Sequence, residues 1–206
     1  MTEVTPHIKA TCSGSSCFGR DYFNLLYTQN SDPWAFESSP YEAAKYAATL
    51  AVLPQLHYCN ALELGCSIGV LTQQLALRCN QLLATDISEV ALAKAEVRCK
   101  YLNNVRFQRR DLSTDFTNGQ FDLILVSEVA NYLSQQELEV LRSNIANALI
   151  PGGSLLLVHY TGKTHYPLTA DQVHQTFLEW EGVAWKSEER QCRVDYRLDL
   201  LTKINS

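Results

Sequence analysis

The sequence predicts an α/β domain built on a mainly parallel sheet with helices on both faces and an antiparallel hairpin at its end. Two observations support this prediction. From Asn60 to about residue 160, short apolar runs alternate with amphipathic segments of helical period, which is typical of repeated β/α units. After the last helical segment, two strand-like runs follow each other with no room for a helix between them. Such adjacent strands can pair only as an antiparallel hairpin.

Composition and charge favour one globular domain. The 206 residues are 46% hydrophobic, which is enough for a substantial core. Seventeen Lys and Arg against twenty-two Asp and Glu give a net charge of −5, and the scattered basic residues make nucleic acid an unexpected partner. No apolar run reaches the roughly 18 to 20 residues of a bilayer span, and the N-terminus does not resemble a signal peptide. We therefore expect a cytoplasmic protein without membrane contact.

The first residues are predicted to form a flexible arm. Residues 1–20 are rich in Thr, Ser, Gly and Cys and have no hydrophobic period. Cys12 and Cys17 form a C-x4-C pair, but structural zinc sites usually need four ligands. We interpret the pair as two reduced thiols and predict no metal site.

Each later element follows from periodicity and its bounding residues. Pro40 suits the first turn of an Ala-rich helix that Pro54 ends, and Ser88 and Ser134 are suited to cap two more helices. The predicted helices are 21–29, the Ala-rich segment from Pro40, 68–79, 88–102, 134–150 and 169–180. The predicted strands are 60–65, 81–87, 105–112, 121–129, 154–160, 182–192 and 193–204. The order is thus five β/α units followed by the hairpin.

A turn with two glycines marks the predicted ligand site. In LELGCSIG, Gly65 and Gly69 come directly after the first of these sheet strands, and open α/β sheets bind ligands at the carboxyl ends of their strands. Gly65 permits a tight turn, and Gly69 lets the next helix pack on the strand. We expect the N–H groups of residues 66–70 to face the ligand.

Two acidic residues indicate what kind of ligand this turn holds. Glu63 would crowd an anionic pyrophosphate, but it suits a ligand with a cationic amino group. Asp86 ends the second strand, where a carboxylate can accept both hydroxyls of a ribose. The alternatives are a carboxylate partnered by a backbone N–H for Glu63 and a helix cap for Asp86. Ser88 fills the second of these roles better.

Five ordered segments resemble the motifs of class I S-adenosylmethionine-dependent methyltransferases: LELGCSIG, TDIS, RRDL, FDLILVSEV and LIPGGSLLLV. The resemblance spans roughly residues 60–160, and it implies a Rossmann-like, doubly wound sheet of seven strands. It also implies S-adenosylmethionine as cofactor and S-adenosylhomocysteine as product. Ser67 stands where the fuller E-x-G-x-G-x-G pattern usually has its middle glycine. The cofactor-binding residues implied by these motifs are Glu63, Gly65, Cys66, Gly69, Asp86, Ile87, Asp111, Leu112 and Ser127.

A narrower resemblance begins nearer the N-terminus. DPWAFESSPYE, NALELGCSIGVLTQQLA and SEVANYL are similar to segments of the NodS-like methyltransferases, which N-methylate the glucosamine end of a deacetylated chitin oligosaccharide. This resemblance implies a small-molecule acceptor with an amine, such as an amino sugar. An O- or S-methyltransferase and a non-catalytic cofactor-binding domain remain alternatives, whereas Glu63 disfavours an NAD dehydrogenase. The single domain, 21–206, would comprise lid helices (21–58), a cofactor core (60–160) and an acceptor side (161–206).

Two residues are candidates for general-base catalysis. Glu128 and His159 end the fourth and fifth strands, so both are expected at the rim of the cofactor site. An amine must be neutral to attack a methyl group, and a carboxylate or imidazole can accept its proton. The alternatives are a capping carboxylate for Glu128 and a hydrogen-bonded edge histidine for His159.

Aromatic and basic residues complete the predicted site. The segment before the first strand, which lies over the cofactor in this fold, offers Trp34, Tyr41 and Lys45, with Lys45 expected to pair with the methionine carboxylate. The loops after strands four and five offer three candidate acceptor-binding residues: Tyr132, His165 and Tyr166. For Trp34, Tyr41 and the loop residues, packing is the alternative.

Overall fold

A computed structural model describes residues 18–193 and 195–204. Most of the predicted arm, including Cys12 and Cys17, lies outside these residues. The seven strands are β1 (Tyr58–Leu64), β2 (Cys79–Asp86), β3 (Val105–Arg109), β4 (Phe121–Ser127), β5 (Leu149–Tyr160), β6 (Trp185–Cys192) and β7 (Tyr196–Lys203). The helices are α1 (Arg20–Gln29), α2 (Pro40–Ala51), α3 (Val70–Leu75), α4 (Glu89–Arg98), α5 (Gln135–Ala148) and α6 (Ala170–Leu178).

One sheet contains all seven strands, in the order β3-β2-β1-β4-β5-β7-β6. Strands β1 to β5 pair in parallel, and β7 pairs antiparallel with both β5 and β6. The doubly wound sheet and the terminal hairpin predicted from the sequence are thus confirmed. The strand order reverses between β1 and β4, and it is at such a reversal that an open α/β sheet forms its ligand crevice.

Strand alternation divides the core between the two faces of the sheet. Leu62 of β1 and Leu157 of β5 contribute to a core that packs against α5 and α6. Their neighbours Ala61 and Leu156 contribute to a second core with α2 and α3. Successive side chains of a strand point to opposite faces, so central strands need apolar residues at consecutive positions, as the sequence has them.

Hydroxyl side chains begin the helices as the sequence predicts. Ser88 accepts a hydrogen bond from the N–H of Ala91 at the start of α4, and Ser134 forms a capping box with Glu137 at the start of α5. These bonds satisfy N–H groups that have no partner within the helix. Among the described residues, no helix is long and apolar enough to cross a membrane.

Three details of the predicted elements are wrong. The segment predicted as a helix over 68–79 has only the α-helical turns of α3, followed by a 3-10 turn, before β2 begins at Cys79. Residues 110–120, between β3 and β4, contain no helix, so the third β/α unit lacks one. Strand β5 begins at Leu149 and includes the Pro-Gly-Gly segment, where its pairing with β4 shifts register.

Candidate active site

A cavity of about 990 Å³ opens at the carboxyl edge of the sheet, between the strand ends and the segment that carries α1 and α2. Most of the residues predicted from the sequence meet there, because parallel strands bring their carboxyl ends to one edge. The predicted residues in its wall are Trp34, Tyr41, Lys45, Glu63, Gly65, Cys66, Asp86, Ile87, Asp111, Leu112, Ser127, Glu128, Tyr132, His165 and Tyr166. Gly69 and His159 are not in this wall.

The two glycines of the turn allow close packing. Gly65 has φ +75°, and a Cβ atom there would lie 2.6 Å from Cβ of Val129. Gly69 has φ +80°, and its Cβ would lie 2.9 Å from Cβ of Ala95. Gly69 therefore makes room for helix α4, a neighbour that the sequence did not indicate.

The backbone N–H groups of the turn are largely used within the protein. Cys66 donates to the carbonyl of Thr85 (2.9 Å), and Gly69 donates to the carbonyl of Cys66 (3.0 Å). Ser67 donates to Oδ2 of Asp86 (2.8 Å). The expectation that these N–H groups face a ligand is wrong for these three residues, since their hydrogens already have acceptors.

Asp86 is held by the turn and by the start of the next helix. Its Oδ2 accepts the Ser67 N–H, and its Oδ1 accepts the Ser88 N–H at 2.9 Å. Burial raises the pKa of Asp86 to about 6, although these backbone hydrogen bonds oppose the rise. A carboxylate oxygen has two lone pairs, so each oxygen can still accept a hydrogen bond from a ribose hydroxyl.

Glu63 is a buried acid with an unused acceptor. Its exposed fraction is 2%, and its Oε2 has no hydrogen-bond partner among the described residues. Burial raises the pKa of Glu63 to about 7, while the Thr72 hydroxyl lowers it. An unpaired buried acceptor is costly, so a donor from a ligand would stabilise this site. The residues present thus fit a cofactor with an amino group and a ribose.

Lys45 lies between two glutamates. Its Nζ is 3.0 Å from Oε1 of Glu42 and 2.6 Å from Oε1 of Glu128. Although burial alone would lower the pKa of Lys45, the two carboxylates raise it above its ordinary value. The charge of Lys45 is thus matched within the protein, and its pairing with a ligand carboxylate stays a prediction. The three side chains together carry one net negative charge, which favours a cationic ligand.

Glu128 faces the cavity from the end of β4. Its φ of +55° is unusual for a residue with a side chain. Its backbone N–H donates to the carbonyl of Val158, and its Oε2 accepts the N–H of Tyr160 at 2.9 Å. These bonds and Lys45 hold the carboxylate in place. The side chain is 21% exposed, so it can reach a molecule in the cavity.

His159 lies on the other face of the sheet, so its predicted rim position is wrong. It shares that face with Leu155 and Leu157 and is fully buried. Its Nδ1 is 3.1 Å from Nε2 of His174, whose Nδ1 is 2.8 Å from Oδ2 of Asp199. Burial and the neighbouring His174 lower the pKa of His159 well below its ordinary value. The alternation of β5 turns this ring away from the cavity wall.

Aromatic rings form one side of the cavity. Tyr132 and Tyr166 have ring centroids 4.4 Å apart, and Phe18 packs against both rings. Trp34 stacks on Phe36 with centroids 5.5 Å apart. The same rings pack against each other and line the cavity, so packing and ligand binding do not exclude one another.

Two further predicted residues stand at the opening. His165 is exposed in the loop before α6. Tyr41 donates a hydrogen bond from its hydroxyl to the carbonyl of Asp195 at 3.2 Å. Tyr41 therefore connects α2 to the turn between β6 and β7, which was predicted to lie on the acceptor side.

Sequence reasoning missed several residues of the wall. Glu42 had a visible signal, because it stands three positions before Lys45 on a predicted helix, where opposite charges meet. For the others, no local pattern announces contact with a cavity. They include Phe18, Phe23, Tyr27, Tyr46, Arg110 and Lys163.

The fold and site define the class of this protein. A seven-stranded sheet of this order, with a glycine turn after β1 and acids ending β1 and β2, is that of a class I S-adenosylmethionine-dependent methyltransferase. The sequence model of one family, described as Nodulation protein S (NodS), matches residues 24–160. The chain belongs to this family.

Individual proteins agree with this assignment. Nodulation protein S from Rhizobium tropici is 32% identical over 127 residues, which are 61% of this chain and 53% of that protein. Nodulation protein S from Sinorhizobium fredii is 31% identical over 140 residues, 65% of this chain and 64% of that protein. The chain thus matches between about half and two thirds of the length of these curated relatives.

A solved structure is similar over more of the chain. It is N-methyltransferase NodS from Bradyrhizobium japonicum WM9 in complex with S-adenosylhomocysteine, with a TM-score of 0.79 and 26% identity. The match covers 89% of this chain and 97% of that one.

Proposed function

We propose that the protein transfers a methyl group from S-adenosylmethionine to the amine of a small molecule, such as an amino sugar or oligosaccharide. The observation that supports an amine is the position of Glu128. Glu128 directly follows β4, which lies beside the strand that carries the glycine turn, and its carboxylate faces the same cavity. With Glu42 and Lys45 it forms a group of net negative charge that favours an incoming ammonium.

The chemistry assigns one task to each acid. S-adenosylmethionine, when bound, supplies a methyl group on a sulfonium. Asp86 would accept hydrogen bonds from the ribose hydroxyls and Glu63 would accept one from the amino group, so the two residues would orient the donor. Glu128 would take a proton from the acceptor ammonium, which leaves a neutral nitrogen able to attack the methyl group. Orientation supplies much of the acceleration in such a displacement.

The cavity wall suits a ring-shaped acceptor. Tyr132 and Tyr166 offer aromatic faces against which the apolar face of a sugar ring can lie, and Tyr41 and His165 offer polar groups nearby. We place the acceptor between this wall and Glu128.

We further propose that the domain is divided into lid helices, a cofactor core and an acceptor side, and that the protein is cytoplasmic.

An acceptor screen tests the proposal. The protein is incubated with methyl-labelled cofactor and a chitin oligosaccharide whose terminal glucosamine has a free amine. The fully N-acetylated oligosaccharide is the matched control. We expect label only in the first, because the acetylated nitrogen cannot act as a nucleophile.

Other results would support other functions. Transfer to hydroxyl or thiol acceptors, with none to amines, would indicate an O- or S-methyltransferase. Binding of S-adenosylhomocysteine without turnover on any acceptor class would indicate a non-catalytic cofactor-binding domain.

A further inference from the structure

Ser67 occupies a backbone conformation that favours glycine. Its φ is +53°, in the left-handed region that residues with a side chain rarely adopt. Both neighbouring glycines of the turn, Gly65 and Gly69, also have positive φ. Glycine at position 67 would therefore relieve the backbone. The serine must contribute something that glycine lacks.

The hydroxyl of Ser67 binds a residue from another element. Its Oγ is 2.5 Å from the hydroxyl oxygen of Tyr27 on α1. Tyr27 is only 4% exposed, and its backbone carbonyl accepts a hydrogen bond from Lys94 of α4 at 2.7 Å. The bond therefore connects the β1–α3 turn to a helix that is itself tied to α4.

The same serine also holds the acid assigned to the ribose. Its N–H donates to Oδ2 of Asp86 at 2.8 Å. Tyr27, Ser67 and Asp86 all lie in the cavity wall. Ser67 of the turn thus joins α1 to the carboxylate of Asp86, which would bind the cofactor.

We propose that Tyr27 and Ser67 form a positioning pair for the cofactor. Their hydrogen bond fixes α1 against the turn and keeps Asp86 oriented toward the ribose, and the strained backbone of Ser67 is retained for this purpose. This inference rests on the proposed use of S-adenosylmethionine. Neither residue touches the reacting atoms.

Replacing Ser67 separates positioning from folding, because glycine removes the hydroxyl and the backbone strain together. For Ser67→Gly, we expect the midpoint of thermal unfolding without ligand to stay the same or rise. The dissociation constant for S-adenosylhomocysteine should rise about five- to tenfold, as for the loss of one hydrogen bond. Ser67→Ala, which keeps the strain, should weaken binding equally without any gain in unfolding temperature.

Tyr27→Phe tests the other partner. We expect a similar rise in the dissociation constant, and the double variant with Ser67→Gly should bind no more weakly than the weaker single variant, since both remove one bond. Tyr22→Phe is the matched control. Tyr22 lies on the same helix but is absent from the cavity wall within the described part of the chain. The dissociation constant of Tyr22→Phe for S-adenosylhomocysteine should therefore not change.

The outcomes can be told apart by calorimetry. If the unaltered protein binds neither S-adenosylmethionine nor S-adenosylhomocysteine, the proposed function fails and this inference fails with it. If the unaltered protein binds but Ser67→Gly and Tyr27→Phe bind equally well, only the positioning pair is refuted. A parallel loss of unfolding temperature and affinity in Ser67→Gly also refutes it, because the serine would then serve folding.

Discussion

The pKa values of two carboxyl groups in the cavity are set by their surroundings. Glu63 and Asp86 are both acids at strand ends, and burial raises the pKa of each, to about 7 and about 6 respectively. As acceptors for ligand hydrogens, both work best when ionised. Ligand binding and proton binding therefore compete at these two residues.

We expect the affinity for S-adenosylhomocysteine to rise with pH. Between pH 5.5 and 8 both acids lose their protons, so protons no longer compete with the ligand. Because one pKa unit corresponds to a tenfold change in proton binding, the dissociation constant should fall by about tenfold or more over this range. Calorimetry across this range measures the effect. Glu63→Gln should remove the part of the change near pH 7, and an unchanged profile in this variant would show that Glu63 does not contribute.

Glu128 is the other residue whose role can be tested singly. Glu128→Gln keeps the shape of the side chain but cannot accept the proton of an ammonium. We expect kcat on the amine acceptor to fall by about 10²- to 10⁴-fold, the usual contribution of a general base, with little change in the KM for the cofactor. Steady-state kinetics with labelled donor measures both values.

The matched comparison for this prediction is His159→Ala. Because the His159 ring lies on the other face of the sheet, its loss should lower the free energy of unfolding but leave kcat close to the wild-type value. Wild-type kcat in Glu128→Gln would contradict the role of Glu128 as base and leave orientation as the main source of catalysis.

At the scale of elements, the β1–α3 turn shows how backbone and packing constraints combine. Gly69 has positive φ, and an added Cβ would approach Ala95 of α4. Gly152, within β5, has a similar φ of +78°, but a Cβ there would meet no atom of the described residues within 4 Å. The two glycines thus differ in packing and share the backbone constraint.

Alanine at each position separates these two costs. We expect Gly152→Ala to lower the free energy of unfolding by about 1 to 2 kcal/mol, the cost of a left-handed residue with a side chain. Gly69→Ala should lower it by about 1 to 3 kcal/mol more, because the new methyl group forces α3 and α4 apart. Urea denaturation of both variants measures the difference. Equal losses would show that contact with α4 is not limiting.

Across the whole molecule, a buried polar chain connects elements that are distant in sequence. His159 of β5, His174 of α6 and Asp199 of β7 form consecutive hydrogen bonds, and Arg197 joins Asp199 to Asp171. Burial lowers the pKa of both histidines, so they are neutral inside the protein at neutral pH. These hydrogen bonds hold the hairpin and α6 against the central sheet.

The contribution of this network to the free energy of unfolding is predicted to fall in mild acid. Histidines of the unfolded chain gain protons at their ordinary pKa of about 6.5, whereas the buried ones resist. Their contribution is fully present above that pH and is lost as pH falls below it, by about 1.4 kcal/mol for each unit by which a pKa is lowered. Urea denaturation of the unaltered protein and of His174→Gln from pH 7.5 to 5 measures the loss as the difference between the two pH profiles, since the opposite effect of Glu63 and Asp86 is common to both.

His174→Gln is the control for this prediction. It removes one titrating group, so the unaltered protein should lose more stability between pH 7.5 and 5, relative to this variant, than it would if His174 made no contribution. Glu63 and Asp86 act in the opposite sense, because a raised pKa gives stability that is lost as pH rises through about 6 to 7. Equal pH dependence in His174→Gln and the unaltered protein would contradict the contribution of His174.

The sequence by itself determined the elements and the edge at which the site forms. Apolar periodicity and capping residues are local properties, so the seven strands, the hairpin and the caps Ser88 and Ser134 could be predicted. Parallel strands bring their carboxyl ends together, so Glu63, Asp86 and Glu128 could be assigned to one cavity from the sequence alone. The ordered motifs then indicated the class of methyltransferase.

Only the tertiary structure decided how side chains pair within and around that site. Lys45 meets Glu128 across 83 positions of sequence, and Tyr27 meets Ser67 across 40; no local pattern encodes such contacts. The alternation of β5 allowed His159 to face either side of the sheet, and the packing of α6 with its His174 placed it away from the cavity. Hydrogen-bond partners and burial depend on elements brought together by folding, which is why these details could not be predicted from the sequence.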